Sequence, residues 1–174
     1  MSEPPKRRRI FVAGLTPARK IGAAEDSVPS PATAPFLIGH GYDIHRLQTG
    51  GKLLLGGVVV SEEVSADAHS DGDVILHAVT DAILGAMALG DIGQHFPPAD
   101  PKWKGVASRV FVEDAYQRAR RAGYALVNLD ITLMLERPKV APYRDDILRS
   151  LRQMFAARGT INLKAGTNEG CDAV

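Results

Sequence analysis

Asp43 and His45 stand two residues apart, and His77 follows further down the chain. In an extended segment residues i and i+2 point to the same side, so this carboxylate and this imidazole can reach one point in space. Carboxylate and imidazole are both group types that bind zinc, so the pair is a reasonable start for a zinc site. His77 closes the run His69-Ser70-Asp71-Gly72-Asp73-Val74-Ile75-Leu76-His77, in which an acid-rich loop opens a helix that carries the imidazole one turn in. Asp73 and Asp81 share its helix face at i−4 and i+4. A metal-bound imidazole usually donates its other N–H to a carboxylate or carbonyl, and the sequence leaves open which of the two acids receives it. Three protein ligands would leave a fourth position open, as in a catalytic zinc site. A phosphate oxygen is a natural fourth ligand, with the metal as Lewis acid on phosphorus. His69 and Ser70, just before the helix, are placed to donate hydrogen bonds to the same anion.

The elements that must position these residues follow from periodicity. Phe36-Leu37-Ile38 leads a strand into Gly39-His40-Gly41. Residues 52–60 are apolar and β-branched around Gly56-Gly57, which predicts strands with a bulge or tight bend. A polar loop spans 61–73. Val74, Ala78, Ala82 and Ala86 step by four, predicting a helix over 74–89, capped by Asp71 or Asp73 and ended by Gly90. Residues 91–104 read as a loop with Pro97, Pro98 and Pro101. A second helix is expected over 107–122, ended by Gly123. Leu129, Ile131, Leu133 and Leu135 alternate with Asn128, Asp130 and Thr132, the pattern of a half-buried strand. Pro142 suits the start of a third helix, Gly159 its end, and 160–165 a last strand. The order predicts an α+β fold, an α/β sandwich with a mixed β-sheet packed against helices.

Composition limits the function classes. The chain has 174 residues, 45% hydrophobic and 24% charged, with net charge +1, as expected of one ordinary globular domain. Neither nucleic acid nor membrane is indicated: aromatics are 6%, and no apolar run approaches the roughly 18 residues of a spanning helix. One cysteine, Cys171, excludes an intrachain disulfide framework and fits a reducing compartment. Residues 1–35 read as a disordered N-terminal extension, with Lys6, Arg7, Arg8 and Arg9 followed by a Pro/Ala/Ser-rich stretch. Glu3, Glu25 and Asp26 argue against a transit peptide and favour a cytoplasmic protein over a plastid one.

These residues resemble the 2-C-methyl-D-erythritol 2,4-cyclodiphosphate synthase family in order and spacing, over residues 36–174. The match runs through Gly39-His40-Gly41-Tyr42-Asp43-Ile44-His45, His69-Ser70-Asp71-Gly72-Asp73, His77 and Asp81. It continues in Leu89-Gly90-Asp91-Ile92-Gly93 with Phe96-Pro97, Asn128-Leu129-Asp130, Pro138-Lys139 and Lys164-Ala165-Gly166-Thr167-Asn168-Glu169-Gly170. The resemblance implies a phosphorus–oxygen lyase of the non-mevalonate isoprenoid pathway. Its substrate would be 4-diphosphocytidyl-2-C-methyl-D-erythritol 2-phosphate, closed to a cyclic diphosphate with loss of CMP. Asp43, His45 and His77 then resemble zinc ligands, and Glu169 a carboxylate holding Mg2+ or Mn2+. His69 and Thr167 resemble the transition-state stabilisers, and Ser70 lines the phosphate pocket. Asp91, Ile92 and Gly93 resemble the segment that holds the methylerythritol hydroxyls. The stretch 135–141, with Pro138 and Lys139, resembles the cytidine pocket. Ile44, Phe96, Asp100, Gly166 and Asn168 complete the implied substrate contacts. A homotrimer with active sites at its interfaces is implied as well.

Departures from the family pattern are Pro98 in place of an acid, Gly166 in place of a threonine, and Ala173 in place of an aromatic. Relatives continue past Val174 with a Gly-Arg-Gly segment and a closing strand, so the domain over 36–174 is expected to lack its final strand, and an inactive truncated homologue is one alternative. Another is a zinc-dependent phosphohydrolase using the same ligands to activate water. A structural zinc protein is disfavoured, because closed sites normally take four protein ligands, often cysteines.

Overall fold

Leu129, Ile131 and Leu133 alternate with Asp130 and Thr132, and this period of two makes β7 (Asn128–Met134) a strand with one wholly buried face. The same alternation builds β8 (Thr160–Gly166), where Ile161 and Leu163 point inward. These two strands run parallel, joined through α4 (Arg144–Phe155), as a parallel pair requires a crossover. The computed structural model describes residues 9–20, 36–155 and 159–171.

The other strands pair antiparallel: β1 (Arg9–Lys20), β2 (Phe36–Thr49), β5 (Val64–Ala66) and β6 (Tyr124–Leu126). The sheet order is β5-β2-β1-β7-β8, with β6 continuing beside β1. A separate hairpin of β3 (Leu53–Leu55) and β4 (Val58–Ser61) turns at Gly56 and Gly57, with φ of 60° and 80°. Two successive positive φ values are what a two-residue type I′ turn requires. The expected bend at these glycines is therefore present, and a register shift falls between Leu53 and Leu54.

Helices α1 (Val74–Ala86), α3 (Arg109–Arg121) and α4 cover one face of the sheet. Their apolar residues, among them Leu76, Leu84, Val112, Ile147 and Leu151, form one core with the inner residues of β7 and β8. The expected mixed sheet packed against helices is the observed fold. Differences lie at the boundaries. Helix α1 stops at Ala86 rather than running to residue 89, with Ala88 in a left-handed conformation (φ 54°) and the Leu89 N–H returning to the Leu84 carbonyl. Residues 61–73 contain β5, and residues 91–104 contain the short α2 (Ile92–His95) and a 3-10 turn at Pro101–Trp103. Pro142 lies in a 3-10 turn (Ala141–Tyr143) that leads into α4.

The structure also differs from the expected disordered extension. Arg9–Lys20 forms β1, inserted between β2 and β7. A proline argues against a central strand because it lacks a ladder N–H. Pro17 is accommodated where β7 and β6 hand over: β1 pairs β7 through Leu15 and β6 from Ala18. The rest of 1–35 lies outside the described residues.

Candidate metal centre

The corner begins with two glycines. Gly39, Gly41, Asp43 and His45 share one face of β2, the face toward the helices. A Cβ at Gly39 would lie 1.8 Å from the Ala82 carbonyl oxygen, and one at Gly41 would lie 1.8 Å from that of Ala78. Only glycine lets the α1 backbone approach this closely. The helix is therefore pressed against β2 one residue past His77, and its first turn hangs over Asp43 and His45.

A second tie fixes the start of α1. Asp73 caps the helix, its carboxylate accepting from the Leu76 N–H at 3.1 Å. The same carboxylate accepts the Gly56 and Gly57 N–H groups at 2.9 and 2.6 Å, which binds the β3–β4 hairpin to the helix. Asp73 is wholly buried, and burial pushes its carboxyl above the usual carboxylate range against the pull of those three N–H donors.

Three donor atoms converge at the resulting corner. His77 Nδ1 lies 3.0 Å from Asp43 Oδ2 and 3.1 Å from His45 Nε2, and His45 Nε2 lies 3.3 Å from Asp43 Oδ2. The His45 Nδ1–H donates to the Ile44 carbonyl at 3.0 Å, which leaves Nε2 as a lone pair. His77 Nε2 faces two hydroxyls instead, Ser70 Oγ at 2.9 Å and Ser108 Oγ at 2.8 Å. Two ring nitrogens and a carboxylate thus meet, an arrangement able to hold a cation. Zinc–nitrogen and zinc–oxygen bonds of about 2.0–2.1 Å in a tetrahedron put neighbouring ligands about 3.3 Å apart. The observed separations fit. Among the described residues, Asp43, His45 and His77 are the one trio able to hold a metal ion.

Neither acid expected to support His77 does so. Asp73 is the helix cap. Asp81 accepts the Ile92 N–H at 2.7 Å and so ties α2 to α1. Burial raises its carboxyl above the usual range, and the negative charges of Asp91 and Asp43 add to that. The real partners are Ser70 and Ser108, the latter bonded to Asp71. Sequence reading had placed Ser70 at the anion but missed Ser108 and this role of Asp71. A serine before a helix reads as an ordinary cap, and nothing local marks it otherwise.

The remaining expected site residues are spread over several elements. His69 is exposed beside the corner, with its carbonyl accepting from the Gly105 N–H. Asp91 caps α2, Ile92 bonds Asp81, and Gly93 is exposed on that short helix. Phe96 is 8% exposed and packs with Trp103 and Phe111, whose ring lies 6.1 Å from His77. Phe96 therefore backs the Phe111 ring in an apolar cluster rather than offering an open contact. Asp100 caps the 3-10 turn and pairs with Lys102, whose side chain holds the Asp100 carboxyl below the usual range.

Gly166, Thr167, Asn168 and Glu169 lie elsewhere. Across the sheet Asp43 stands opposite Val12, Val12 opposite Leu133, and Leu133 opposite Ala165. Three strand spacings of about 4.8 Å put the end of β8 roughly 14 Å from the corner. There the Thr167 hydroxyl donates to Glu169 Oε1 at 2.6 Å, and Glu169 takes a left-handed φ of 52°. The Glu136 carboxylate holds this turn by accepting the Asn168 N–H at 2.9 Å and the Gly170 N–H at 3.4 Å. Glu136 falls in the 135–141 stretch whose resemblance implies the cytidine pocket, but its hold on this turn was not foreseen.

Fold and corner together define a mixed α/β protein with a candidate metal site. The chain belongs to the YgbB family, whose model matches residues 36–174. It is 46% identical over 169 residues to the chloroplastic 2-C-methyl-D-erythritol 2,4-cyclodiphosphate synthase of Arabidopsis thaliana, covering 97% of this chain and 73% of the relative. The enzyme of the same name from Shewanella halifaxensis is 52% identical over 133 residues, covering 76% and 84%. A solved structure of such a synthase in its CDP-bound form superposes with a TM-score of 0.70 at 41% identity, covering 76% of this chain and 89% of that one. No described helix is long and apolar enough to cross a membrane.

Proposed function

We propose that this chain is a 2-C-methyl-D-erythritol 2,4-cyclodiphosphate synthase acting in the non-mevalonate isoprenoid pathway. The carrying observation is the convergence of Asp43, His45 and His77 in a chain about half identical to enzymes of that name. The substrate is 4-diphosphocytidyl-2-C-methyl-D-erythritol 2-phosphate. An oxygen of its 2-phosphate attacks the β-phosphorus of its own diphosphate. The new O–P bond closes the ring, the bond from the β-phosphorus to the bridging oxygen breaks, and CMP leaves with that oxygen and its electron pair. The reaction is thus that of a phosphorus–oxygen lyase.

The physical obstacle is repulsion between two phosphates, and both ends of one molecule must be held together to overcome it. Zn2+ on Asp43, His45 and His77 supplies Lewis-acid charge at a phosphate oxygen when bound. His69 and Ser70 donate hydrogen bonds to the same phosphate. Thr167 donates to the transferring phosphoryl group, where charge builds up in the transition state. Glu169 offers a hard oxygen to Mg2+ or Mn2+ on the diphosphate. Asp91 and the backbone of Ile92 and Gly93 hold the methylerythritol hydroxyls, and Pro138 and Lys139 border the cytidine. The CDP in the solved relatives supports that last assignment.

A homotrimer follows from the same reading. Two intervening strands separate the Thr167–Glu169 turn from the metal corner, so one substrate is best gripped by the corner of one subunit and the turn of another. The sheet face away from the helices also exposes Phe36, Ile38 and Ile44. The tail acids Glu3, Glu25 and Asp26 favour the cytoplasm, although three similar plant enzymes are chloroplastic.

His45→Ala tests the proposal. The purified chain is expected to release CMP together with a cyclic diphosphate, and the variant to lose bound zinc and CMP release by about a thousandfold or more. A linear phosphate product would mark a phosphohydrolase instead. Undiminished cyclisation with no bound metal would overturn the metal reading.

A further inference from the structure

We propose that Asp71 and Ser108 are positioning residues that lock His77 in the tautomer with its proton on Nε2 and its Nδ1 lone pair toward the metal. This rests on the metal reading above. Ser108 occupies the residue before α3, where a serine side chain ordinarily caps the helix. Here it makes no capping bond, although it is wholly buried. Its hydroxyl is diverted. The O–H donates to Asp71 Oδ1 in a short hydrogen bond, and Oγ lies 2.8 Å from His77 Nε2.

Asp71 is itself held from several sides. Its carboxylate accepts the Ser108 N–H at 3.0 Å and the Asp73 N–H at 3.2 Å, and its own N–H donates to the Val106 carbonyl at 3.1 Å. An ionised carboxylate only accepts hydrogen bonds. Ser108 has one proton, and Asp71 takes it. Toward the imidazole Ser108 can therefore only accept, which places a proton on His77 Nε2. Ser70, 2.9 Å from the same nitrogen and 3.3 Å from Ser108 Oγ, accepts from the Gly72 N–H and can turn its own proton to either neighbour, so it does not decide the tautomer alone. With the Asp71 carboxylate gone, the Ser108 hydroxyl could turn and donate to Nε2. The ring proton would then sit on Nδ1, against Asp43 Oδ2 at 3.0 Å, and close the metal face. The pair thus couples the start of α3 to a ligand on α1. A partner of this kind typically tunes metal affinity about 10- to 100-fold.

Nitrogen-15 NMR of histidine-labelled, zinc-loaded full-length protein reads the arrangement directly. The expected spectrum has His77 protonated at Nε2 and metal-bound through Nδ1. Zinc affinity by chelator competition should fall about 10- to 100-fold in Ser108→Ala and Asp71→Asn and stay near wild type in Ser108→Thr, which keeps the hydroxyl. The visible spectrum of the Co2+-loaded protein should change in the first two variants only. A wild-type His77 protonated at Nδ1 overturns the proposal, even if Ser108→Ala fails to fold. So does unchanged zinc affinity in both Asp71→Asn and Ser108→Ala. A wild-type chain that takes up no zinc overturns the metal reading instead, and the spectrum of that metal-free chain still decides the tautomer.

Discussion

The Asp43–His45–His77 corner and the Thr167–Glu169 turn are built in opposite ways. At the corner the three side chains are 23%, 14% and 12% exposed, and each is held by another element. Strand β2, helix α1, the 69–73 loop and the start of α3 all contribute. At the turn the Thr167 and Glu169 side chains are bonded to one another, Glu169 is exposed, and the Glu136 carboxylate, just past β7, accepts from the turn's backbone. The difference teaches how one chain divides the work. A metal site needs its ligands fixed before the ion arrives, because the ordering cost is then met by folding. A turn proposed to receive a large substrate needs access more than rigidity, and an exposed, locally bonded loop provides that.

Breaking the packing under the corner should have the largest effect. Gly41→Ala drives a methyl into the Ala78 carbonyl, which is backbone and cannot swing away. Overpacking typically costs about 1–3 kcal/mol, and this substitution should reach or exceed the top of that range. Denaturant unfolding should show the loss, and zinc competition a parallel loss of affinity as α1 lifts from β2. Unchanged stability would mean that α1 does not need that close approach.

Loosening the turn should have a smaller and separable effect. Glu136→Gln weakens the acceptor for the Asn168 and Gly170 N–H groups. A charge-assisted hydrogen bond contributes about 1.5–3 kcal/mol, so KM should rise about tenfold while zinc stoichiometry stays unchanged. Loss of zinc in this variant would show that the two regions are not independent.

The smallest effect concerns the outer face of the sheet. Lys164 Nζ donates to Asp130 Oδ2 at 2.6 Å, and this bond, helped by Asn162, holds the Asp130 carboxyl below the usual range. The folded chain therefore binds fewer protons here than the unfolded chain. The stabilisation is present above a pH of about 4 and is lost as pH falls through the lower folded value. Because both groups are largely exposed, Asp130→Asn should flatten the acid limb of the stability curve only slightly, as measured by thermal melts between neutral and acid pH.

Much of the corner was legible before folding was considered. The Asp-x-His spacing needs only an extended strand, and His77 needs only a helix begun by a capping acid. Both are local patterns, and Asp73 does cap α1. The Gly56-Gly57 turn and the inward face of β7 were equally local. The supports of His77 were not. Ser108 lies 31 residues from His77 and Glu136 lies 32 from Asn168, and nothing in their neighbourhoods distinguishes them from a helix cap and a strand-end acid.

Residues 9–20 mark the same boundary from the other side. They lie in the 1–35 stretch whose basic run and Pro/Ala/Ser content read as a tail, yet the gap between β2 and β7 takes them in as β1. Sequence alone determined what rests on spacing along one element: the periods of strands and helices, the capping acid, and three candidate metal ligands of compatible chemistry. Tertiary structure decided what rests on approach between elements. It decided how closely α1 sits on β2, which hydroxyls meet His77 Nε2, and how far the Thr167–Glu169 turn lies from the Asp43–His45–His77 corner. Such distances depend on the packing of side chains far apart in the chain, and no local propensity encodes them.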